Sequence, residues 1–151
     1  MTEVRRILLV EDNARDVELT LVALEEHRLA NDVVVVRDGA EALDYLNCEG
    51  RFQKRPVGSP VVVLLDLKMP KVDGLEVLRR MKASAYLRTV PVVMLTCSRE
   101  EPDLIESYRL GVNAYIVKPV AFEDLMNSIK SLGLFWAVLN EPPPGTVHRA
   151  A

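Results

Sequence analysis

The chain has 151 residues, of which 49% are hydrophobic and 27% charged, a composition typical of one compact globular domain rather than a disordered chain. It carries 19 Lys and Arg residues and 22 Asp and Glu residues, so the formal net charge is −3 and no broad basic surface is expected for nucleic acid. Two cysteines, Cys48 and Cys97, lack the spacing of a zinc site or a disulfide framework, and no apolar run approaches the ~20 residues of a membrane span, so we expect a cytoplasmic protein.

Five short apolar runs predict five buried parallel strands. In chain order they cover residues 7–10, 33–36, 61–65, 91–95 and 114–117. Each run is too uniformly apolar for a half-exposed antiparallel sheet. Helical periodicity is found between and after them, over residues 15–27, 40–47, 75–83, 100–110 and 122–139. The alternation predicts an α/β fold of (βα)5 type, a doubly wound parallel five-stranded sheet.

Two segments differ from the short connections of such a fold. Residues 49–60 contain two glycines and two prolines, which predicts a long surface loop before the third strand. Three consecutive prolines follow Glu141, so a helix cannot continue there. We therefore predict one domain over residues 1–139, including an extended last helix, and a proline-rich C-terminal tail over residues 140–151.

Charged and hydroxyl side chains stand at the carboxyl ends of the predicted strands. Glu11 and Asp12 follow the first strand, Asp66 the third, Thr96 the fourth and Lys118 the fifth. Ligands of doubly wound sheets bind at this edge, beside the switch in strand order. Three carboxylates and one ammonium leave a charge of −2, which Mg²⁺ would cancel, and magnesium often completes its oxygen shell with a phosphate oxygen. The pattern predicts phosphoryl chemistry.

Each of these residues also has a purely structural interpretation. Asp12 or Asn13 could cap the first helix, and Thr96 could be a cap as well. Asp66 could belong to a turn, and Lys118 could be an ordinary exposed lysine. Four independent coincidences at the same edge of one sheet are far less probable than any one of them, so the joint pattern favours a functional site.

The motifs at these positions resemble those of the two-component receiver domain. They read Val-Glu-Asp-Asn at 10–13, Leu-Asp-Leu-Lys-Met-Pro-Lys-Val-Asp-Gly at 65–74, Leu-Thr at 95–96 and Tyr-Ile-Val-Lys-Pro at 115–119. The resemblance covers about residues 5–132 and implies the flavodoxin-like receiver fold. One departure is the Glu11-Asp12 pair, because many receivers carry Asp-Asp there, but the charge is preserved and metal binding should survive.

The resemblance implies that Asp66 is the phosphoacceptor. It also implies that Glu11 and Asp12 hold Mg²⁺ together with Asp66 and the main-chain carbonyl of Lys68. The phosphodonor would be the phosphohistidine of a histidine kinase, and the Asp66 carboxylate would attack its phosphorus in line. In this scheme the protein catalyses its own phosphorylation and dephosphorylation.

The same resemblance implies a conformational switch. Thr96 would read the phosphoryl group, Lys118 would pair with its oxygen, and Tyr115 would be the aromatic switch residue. Their repacking would alter the surface formed by the fourth helix, fifth strand and fifth helix. Cys97 is bulkier than glycine or alanine and could narrow access to the phosphoryl group, so Cys97→Ala is expected to change the rate of dephosphorylation.

The end of the chain suggests a protein partner. Nineteen residues follow Leu132, too few for a helix-turn-helix module, so we expect an intermolecular output. The predicted last helix is apolar nearly all round at Phe135, Trp136, Val138 and Leu139, which favours packing against a second chain. The alternative is an extra turn folded back onto the domain, for which Gly133 could provide the bend.

The loop at 49–60 and the segments at 131–136 and 140–144 resemble stand-alone receivers associated with bacterial phytochromes. This resemblance implies a phytochrome histidine kinase as phosphodonor and a homodimer through the fourth-helix, fifth-strand and fifth-helix surface. The kinase would dock on the loop after Pro119 and on the start of the first helix, near Asn13, Ala14, Asp16 and Val17.

Two other functions use similar residues. A magnesium-dependent phosphohydrolase would need an acid for the leaving group, and Lys68 stands where such an Asp acid could sit. An adaptor that keeps only the fold would not need Asp66, Thr96 and Lys118 together. Nucleotide binding is disfavoured because neither Gly-x-Gly-x-x-Gly nor a P-loop follows the first strand.

Overall fold

Five strands alternate with five helices over the residues that the computed structural model describes, which are 6–25, 33–56, 58–69, 71–97, 101–118 and 120–131. The elements are β1 Ile7–Val10, α1 Ala14–Glu25, β2 Val33–Val36, α2 Gly39–Leu46, β3 Val62–Asp66, α3 Gly74–Ala83, β4 Val92–Thr96, α4 Glu101–Arg109, β5 Ala114–Val117 and α5 Phe122–Ser131. A short 3-10 helix, Gly50–Phe52, follows α2. Within these ranges no helix has the length and apolarity needed to cross a membrane.

The sheet is entirely parallel over its described strands, in the order β2-β1-β3-β4-β5. The chain therefore moves outward from β1 to β2, and then returns to the other side of β1 to form β3. This reversal of direction leaves a crevice at the carboxyl ends of β1 and β3. The predicted doubly wound sheet is confirmed, and its switch point lies where the acidic residues were expected.

The strands bury side chains on both faces of the sheet, because successive residues point to opposite sides. In β1, Leu8 and Val10 belong to a cluster that includes Leu46 of α2 and Leu78 of α3. The alternate residues belong to a second cluster, formed with α1 and α5, whose members include Ile7, Leu9, Val17, Leu64 and Leu125. Two apolar layers thus hold the helices on both faces of the sheet, as a near-continuous run of aliphatic strand residues predicts.

β3 and β4 each begin and end one residue later than the predicted ranges 61–65 and 91–95. The reason is that Asp66 pairs with Leu95 in the ladder, and the amide of Leu67 donates to the Leu95 carbonyl at 3.1 Å. Thr96 similarly pairs with β5. Both polar residues therefore belong to the strands, and the sheet itself fixes their backbones.

Three of the helices, α1, α2 and α3, begin at side-chain caps. The Asn13 carboxamide oxygen accepts from the backbone amides of Arg15 at 2.9 Å and Asp16 at 3.1 Å, so α1 starts one residue earlier than predicted. Asp38 and Asp73 cap α2 and α3 in the same way, and each of these helices begins at a glycine rather than one residue later. The predicted end of the first helix at His27, the extension of the last helix beyond 131, the tail and Pro119 lie outside the described residues.

The segment predicted as a surface loop at 49–60 packs onto α2. The ring of Phe52 meets Tyr45 edge-on, with centroids 5.1 Å apart. The guanidinium of Arg55 lies 4.2 Å over the Tyr45 ring, and its Nε donates to the Tyr45 carbonyl at 2.7 Å. The segment is exposed over most of its described residues, as predicted, and aromatic and cationic contacts attach it to the end of α2.

Candidate functional site

The sheet brings together the acidic residues and the lysine that the sequence predicts. Glu11 follows β1 directly, and its amide donates to the Val36 carbonyl of β2 at 3.0 Å. Asp66 ends β3, and the Lys118 ammonium lies 3.3 Å from its Oδ1. The amide of Lys118 donates to the Thr96 carbonyl at 2.7 Å, which places the lysine beside the end of β4. The expected convergence at this edge is therefore observed.

Strand alternation explains which side chains meet. Glu11 is in phase with Leu9 of β1, and Asp66 is in phase with Leu64 of β3, and both leucines belong to the cluster under α1 and α5. The two carboxylates therefore point to the α1 side of the sheet. Thr96 is in phase with Met94, which belongs to the opposite cluster. Thr96 thus lies on the opposite face of the sheet from the two acids.

Lys118 is nearly enclosed by carboxylates. Its side chain is 8% exposed and forms a hydrogen-bonded ion pair with Glu11, which is 1% exposed. The ammonium also donates to Asp16 Oδ2 at 3.0 Å and lies 3.3 Å from Asp66 Oδ1. An ammonium has three donors. Three carboxylates of the described chain therefore match its full donor capacity.

Asp16 was predicted only as part of a kinase-docking surface, and the structure gives it a contact within the site. It lies in the first turn of α1, and its side chain is 29% exposed. An acid in a first turn is common, because it also stabilises the amino end of the helix. The sequence therefore held a signal, Asp16 shortly after the Glu11-Asp12 pair, that could not be separated from this ordinary helical preference.

The carboxylates of Glu11, Asp12 and Asp66 form a group that could hold a metal ion. One oxygen from each lies within 4.8 Å of the others, and Asp12 is exposed while the other two are buried. Hard oxygen donors around a partly open position suit a small divalent cation. The Lys68 side chain is exposed two residues after Asp66, and a ligand role for its carbonyl stays a prediction.

The electrostatics of the site favour extra positive charge. Burial, followed by the hydrogen bond and the negative charge of Glu11, raises the pKa of Asp66 to about 8, although Lys118 opposes the change. Burial alone would lower the pKa of Lys118, but its bonds to Glu11 and Asp16 and the charge of Asp66 raise it above the ordinary value. The lysine therefore stays charged, and a cation would replace the proton that Asp66 otherwise binds.

The comparison with known families agrees with this geometry. Residues 7–130 match the family described as response regulator receiver domain. The chain belongs to that family. The receiver fold is thereby confirmed, and the hydrolase alternative gains no support from the match.

The receiver domain is similar to regulators named for bacterial phytochromes. The solved bacteriophytochrome response regulator RtBRR is 64% identical, covering 95% of this chain and 86% of that chain with a TM-score of 0.83. For AtBRR, also a bacteriophytochrome response regulator, the identity is 66%, with 93% and 100% covered and a TM-score of 0.83. The predicted resemblance to phytochrome-associated regulators is confirmed.

A more distant relative is known with a metal. Response regulator Rcp1 of Synechocystis sp. is 38% identical over 130 residues, which are 86% of this chain and 87% of that protein. A solved Mn²⁺-bound form of Rcp1 has a TM-score of 0.73 to the receiver domain at 36% identity, and 98% of this chain and 100% of that chain are covered. Metal binding is thus found in a relative.

The predicted switch residues of the receiver domain lie on neighbouring strands. Thr96 is buried at the end of β4, and Tyr115 of β5 is half-buried against the cluster under α2 and α3. In the ladder Tyr115 is opposite Met94, two residues before Thr96. Cys97 is exposed directly after Thr96. Thr96 and Tyr115 therefore share one face of the sheet, and their switching role stays a prediction.

Glycine is required directly behind Asp66. A Cβ on Gly74 would lie 2.8 Å from the Leu67 Cα and would overlap the Asp66 carbonyl oxygen. The Gly74 amide donates to the Leu67 carbonyl at 2.8 Å, which holds the start of α3 against the end of β3. The start of α3 therefore packs directly against the Asp66 backbone, and any side chain at position 74 would prevent this contact.

Proposed function

We propose that this receiver domain accepts a phosphoryl group from a sensor histidine kinase on Asp66 and signals through changed contacts with other proteins. The observation that carries the proposal is the 3.3 Å approach of the Lys118 ammonium to Asp66 Oδ1 beside a group of three carboxylates. A nucleophilic carboxylate, a fixed cation and a metal-binding acid group are the parts that phosphoryl transfer to an aspartate requires.

In the proposed step, a carboxylate oxygen of Asp66 attacks the phosphorus of a phosphohistidine in line. A P–O bond forms and the P–N bond breaks, and its electron pair remains on the imidazole nitrogen, which is then protonated. The Lys118 ammonium donates to an oxygen of the transferred group and so stabilises its negative charge. In hydrolysis, water would attack the phosphorus to form a new P–O bond, the P–O bond to Asp66 would break, and the Asp66 carboxylate and inorganic phosphate would result.

The proposed cation is Mg²⁺, held by Glu11, Asp12 and Asp66 together with the Lys68 carbonyl. When bound, it would neutralise the phosphoryl oxygens in the manner of other magnesium-dependent phosphoryl transfers. The acid group supports this assignment because one oxygen from each residue lies within 4.8 Å of the others and burial disfavours the charge of Asp66. The Mn²⁺-bound form of Rcp1 adds support from a relative.

The proposed output is a change in the surface of α4, β5 and α5. An acyl phosphate on Asp66 would add about one negative charge and new acceptor oxygens, toward which the Thr96 hydroxyl would move. The Tyr115 ring would then turn into the space near Thr96. The shared face of the two residues supports this coupling, because Met94 and Tyr115 are opposite each other in the ladder.

A homodimer through α4, β5 and α5 is part of the proposal. The described part of α4 exposes two large apolar side chains, Ile105 at 49% and Tyr108 at 54%. Tyr86, which is 55% exposed between α3 and β4, offers a matched control. In sedimentation equilibrium, Tyr108→Arg should weaken self-association at least fivefold while Tyr86→Arg leaves it unchanged. An equal effect of both variants would reject this interface.

The proposed phosphodonor is the histidine kinase of a bacterial phytochrome. The support comes from relatives whose names assign them to bacteriophytochromes and which cover nearly the whole chain. Transfer from a phosphorylated phytochrome kinase should label Asp66 faster than transfer from an unrelated histidine kinase. Equal rates would leave the receiver function intact and reject the phytochrome assignment.

Phosphorylation with phosphoramidate and Mg²⁺ tests the central proposal without any kinase. Intact-mass measurement should show one phosphoryl group on the parent chain and none on Asp66→Asn. Asp44→Asn, on α2 and away from the acid group, is the control and should label like the parent. A parent chain that gains no phosphoryl group, or an Asp66→Asn chain that gains one equally, would overturn the proposal. Steady turnover of a small phosphate ester without labelling would indicate a hydrolase instead.

A further inference from the structure

Asp16 contacts the lysine of the site from outside the metal-binding group. Its Oδ2 accepts from the Lys118 ammonium at 3.0 Å, whereas the nearest Asp66 oxygen is 3.3 Å away. We propose that Asp16 is a positioning residue that retains the Lys118 ammonium and must release it when the phosphoryl group arrives. This inference rests on the proposed function of Asp66.

The scaffold around Asp16 is fixed. The Asn13 side chain accepts from the Asp16 amide at 3.1 Å and so anchors it in the first turn of α1. The next residue, Val17, is buried in the cluster under α1 and α5. Lys118 is fixed at its backbone by the 2.7 Å bond from its amide to the Thr96 carbonyl. A change of partner therefore requires movement of the lysine side chain and not of either backbone.

The contacts of Lys118 set up a competition for its ammonium. The ammonium has three donors, and Glu11, Asp16 and Asp66 already supply three carboxylate partners. A phosphoryl oxygen can replace the Asp66 oxygen as the third partner, but the ammonium can close the 3.3 Å gap toward Asp66 only by lengthening its bond to Glu11 or to Asp16. The identity of the partner that gives way decides how strongly the phosphoryl group is held.

The difference in solvent exposure between Glu11 and Asp16 indicates that Asp16 is the one that loses its hydrogen bond to Lys118. The Glu11 side chain is 1% exposed, so losing the lysine would leave a buried carboxylate without a cation. The Asp16 side chain is 29% exposed, and water can replace the lysine there at much lower cost. Of the two partners that do not carry the phosphoryl group, Asp16 is thus the less costly to release, and it lies outside the acid group that the metal would occupy.

The charge of Asp16 acts in the same direction as its hydrogen bond. Its carboxylate attracts Lys118 away from the phosphoryl position and repels an incoming phosphoryl dianion. Removing that charge without changing the shape, in Asp16→Asn, should therefore favour phosphorylation on both accounts. Asp16→Glu keeps the charge and should return the behaviour toward that of the parent chain.

The first measurement is the rate of Asp66 labelling by phosphoramidate and Mg²⁺, which involves no kinase docking. We expect Asp16→Asn to label about fivefold faster than the parent, the size of effect given by a partly exposed ion pair. Glu18→Gln removes an exposed acid two residues further along α1 and should stay within about twofold of the parent. Thermal unfolding of each variant shows whether it is folded, and Asp16→Ser serves as a second neutral variant if Asp16→Asn is not.

The second measurement separates the lysine from the general loss of charge. Beryllofluoride, a stable phosphoryl analogue, is titrated with Mg²⁺ into the parent, Asp16→Asn, Lys118→Ala and the double variant. Asp16→Asn should tighten binding about fivefold when Lys118 is present and less than twofold when it is absent, because the competition then has no lysine to act on.

The outcomes distinguish this inference from the proposed function. If the parent labels and Asp16→Asn labels at the same rate or more slowly, the positioning role is rejected while the phosphoacceptor role stands. Equal effects of Asp16→Asn with and without Lys118 would also reject it, because Asp16 would then act independently of Lys118. A parent chain that takes up no phosphoryl group would reject the proposed function itself.

Discussion

Two regions of the molecule surround their basic side chains with different partners. At the sheet edge, Lys118 contacts several acids, so negative charge is in excess. In the arginine segment, residues 50–56, the guanidinium of Arg51 lies 4.4 Å from the centre of the Phe52 ring and pairs with Glu41. That of Arg55 lies over an aromatic ring and donates to backbone carbonyls.

The difference separates a site from a structural contact. In the arginine segment, Glu41 pairs with Arg51, and backbone carbonyls accept hydrogen bonds from the Arg55 guanidinium. At the sheet edge the pKa of Asp66 is raised to about 8 because its negative charge is poorly compensated in the buried position. A buried carboxylate with poorly compensated charge persists only where the surrounding backbone holds it in place. A bound cation would compensate that charge.

The largest expected effect comes from disturbing the backbone that imposes the arrangement. Gly74→Ala would force a methyl group against the Asp66 carbonyl and the Leu67 Cα, and should reduce the free energy of unfolding by about 3 kcal/mol. Because the shift occurs directly behind Asp66, phosphoramidate labelling should also slow more than tenfold. Urea unfolding and intact-mass kinetics measure the two quantities.

Gly39→Ala is the matched control for this substitution. A Cβ on Gly39 would overlap the Val72 carbonyl, so the variant should lose stability by a similar amount of about 3 kcal/mol. Its methyl group does not approach Asp66, and labelling should slow less than threefold. If labelling slowed similarly in both variants, the cause would be the general loss of stability and not the contact between Gly74 and the Asp66 backbone.

The fold and most of the site could be predicted because they depend on local patterns. Aliphatic runs placed the five strands within one residue, and the strand ends at Glu11, Asp66 and Lys118 converge as parallel topology requires. The contact from Asp16 to Lys118 could not be predicted in this way. It depends on the direction of a side chain in the first turn of α1, which neither helical period nor charge determines.

The arginine segment shows a second limit of sequence-based prediction. Glycines and prolines over residues 49–60 correctly indicated a break between α2 and β3. They did not reveal that Phe52 and Arg55 pack on Tyr45. Those contacts join positions ten residues apart or fewer through a non-periodic turn, and non-periodic packing leaves no regular pattern in the sequence.

A smaller effect on the free energy of unfolding is expected when the negative charge of Asp66 is removed. The folded pKa of Asp66, about 8, lies above the ordinary aspartate value of 3.8, so between these pH values the folded chain binds more protons than the unfolded one. The free energy of unfolding in EDTA should therefore fall as the pH rises from about 5 to 8. At pH 8, Asp66→Asn should be more stable than the parent by roughly 2 kcal/mol, since relaxation of the site reduces the full linkage effect.

The control for this pH dependence is Glu18→Gln, which removes an exposed acid and should keep the slope of the parent. Added Mg²⁺ should stabilise the parent at pH 8 and narrow its difference from Asp66→Asn, because a cation compensates the same charge that the amide removes. Urea unfolding in EDTA and in Mg²⁺ at each pH provides the measurement. A parent whose stability rises steadily with pH over this range would contradict the uncompensated site.

The smallest effect is expected in the arginine segment, where Arg55 contacts an aromatic ring and backbone carbonyls. Arg55→Met would remove the stacking on Tyr45 and the bonds to the Tyr45, Pro56 and Gly58 carbonyls. It would also remove the buried Nη2, which has no hydrogen-bond partner among the described residues, and this gain offsets part of the loss. We expect a net loss of about 1 kcal/mol in urea unfolding and an unchanged labelling rate.

Lys54→Met is the neighbouring control, since its exposed side chain should change stability by less than about 0.5 kcal/mol. The comparison is informative because the two regions predict opposite signs for the removal of one charge. Neutralising Asp66 at the sheet edge should stabilise the metal-free chain, whereas neutralising Arg55 should destabilise it. If Arg55→Met instead raised stability and altered labelling, the arginine segment would hold charge in excess as the sheet edge does, and it would have to be regarded as a second functional region.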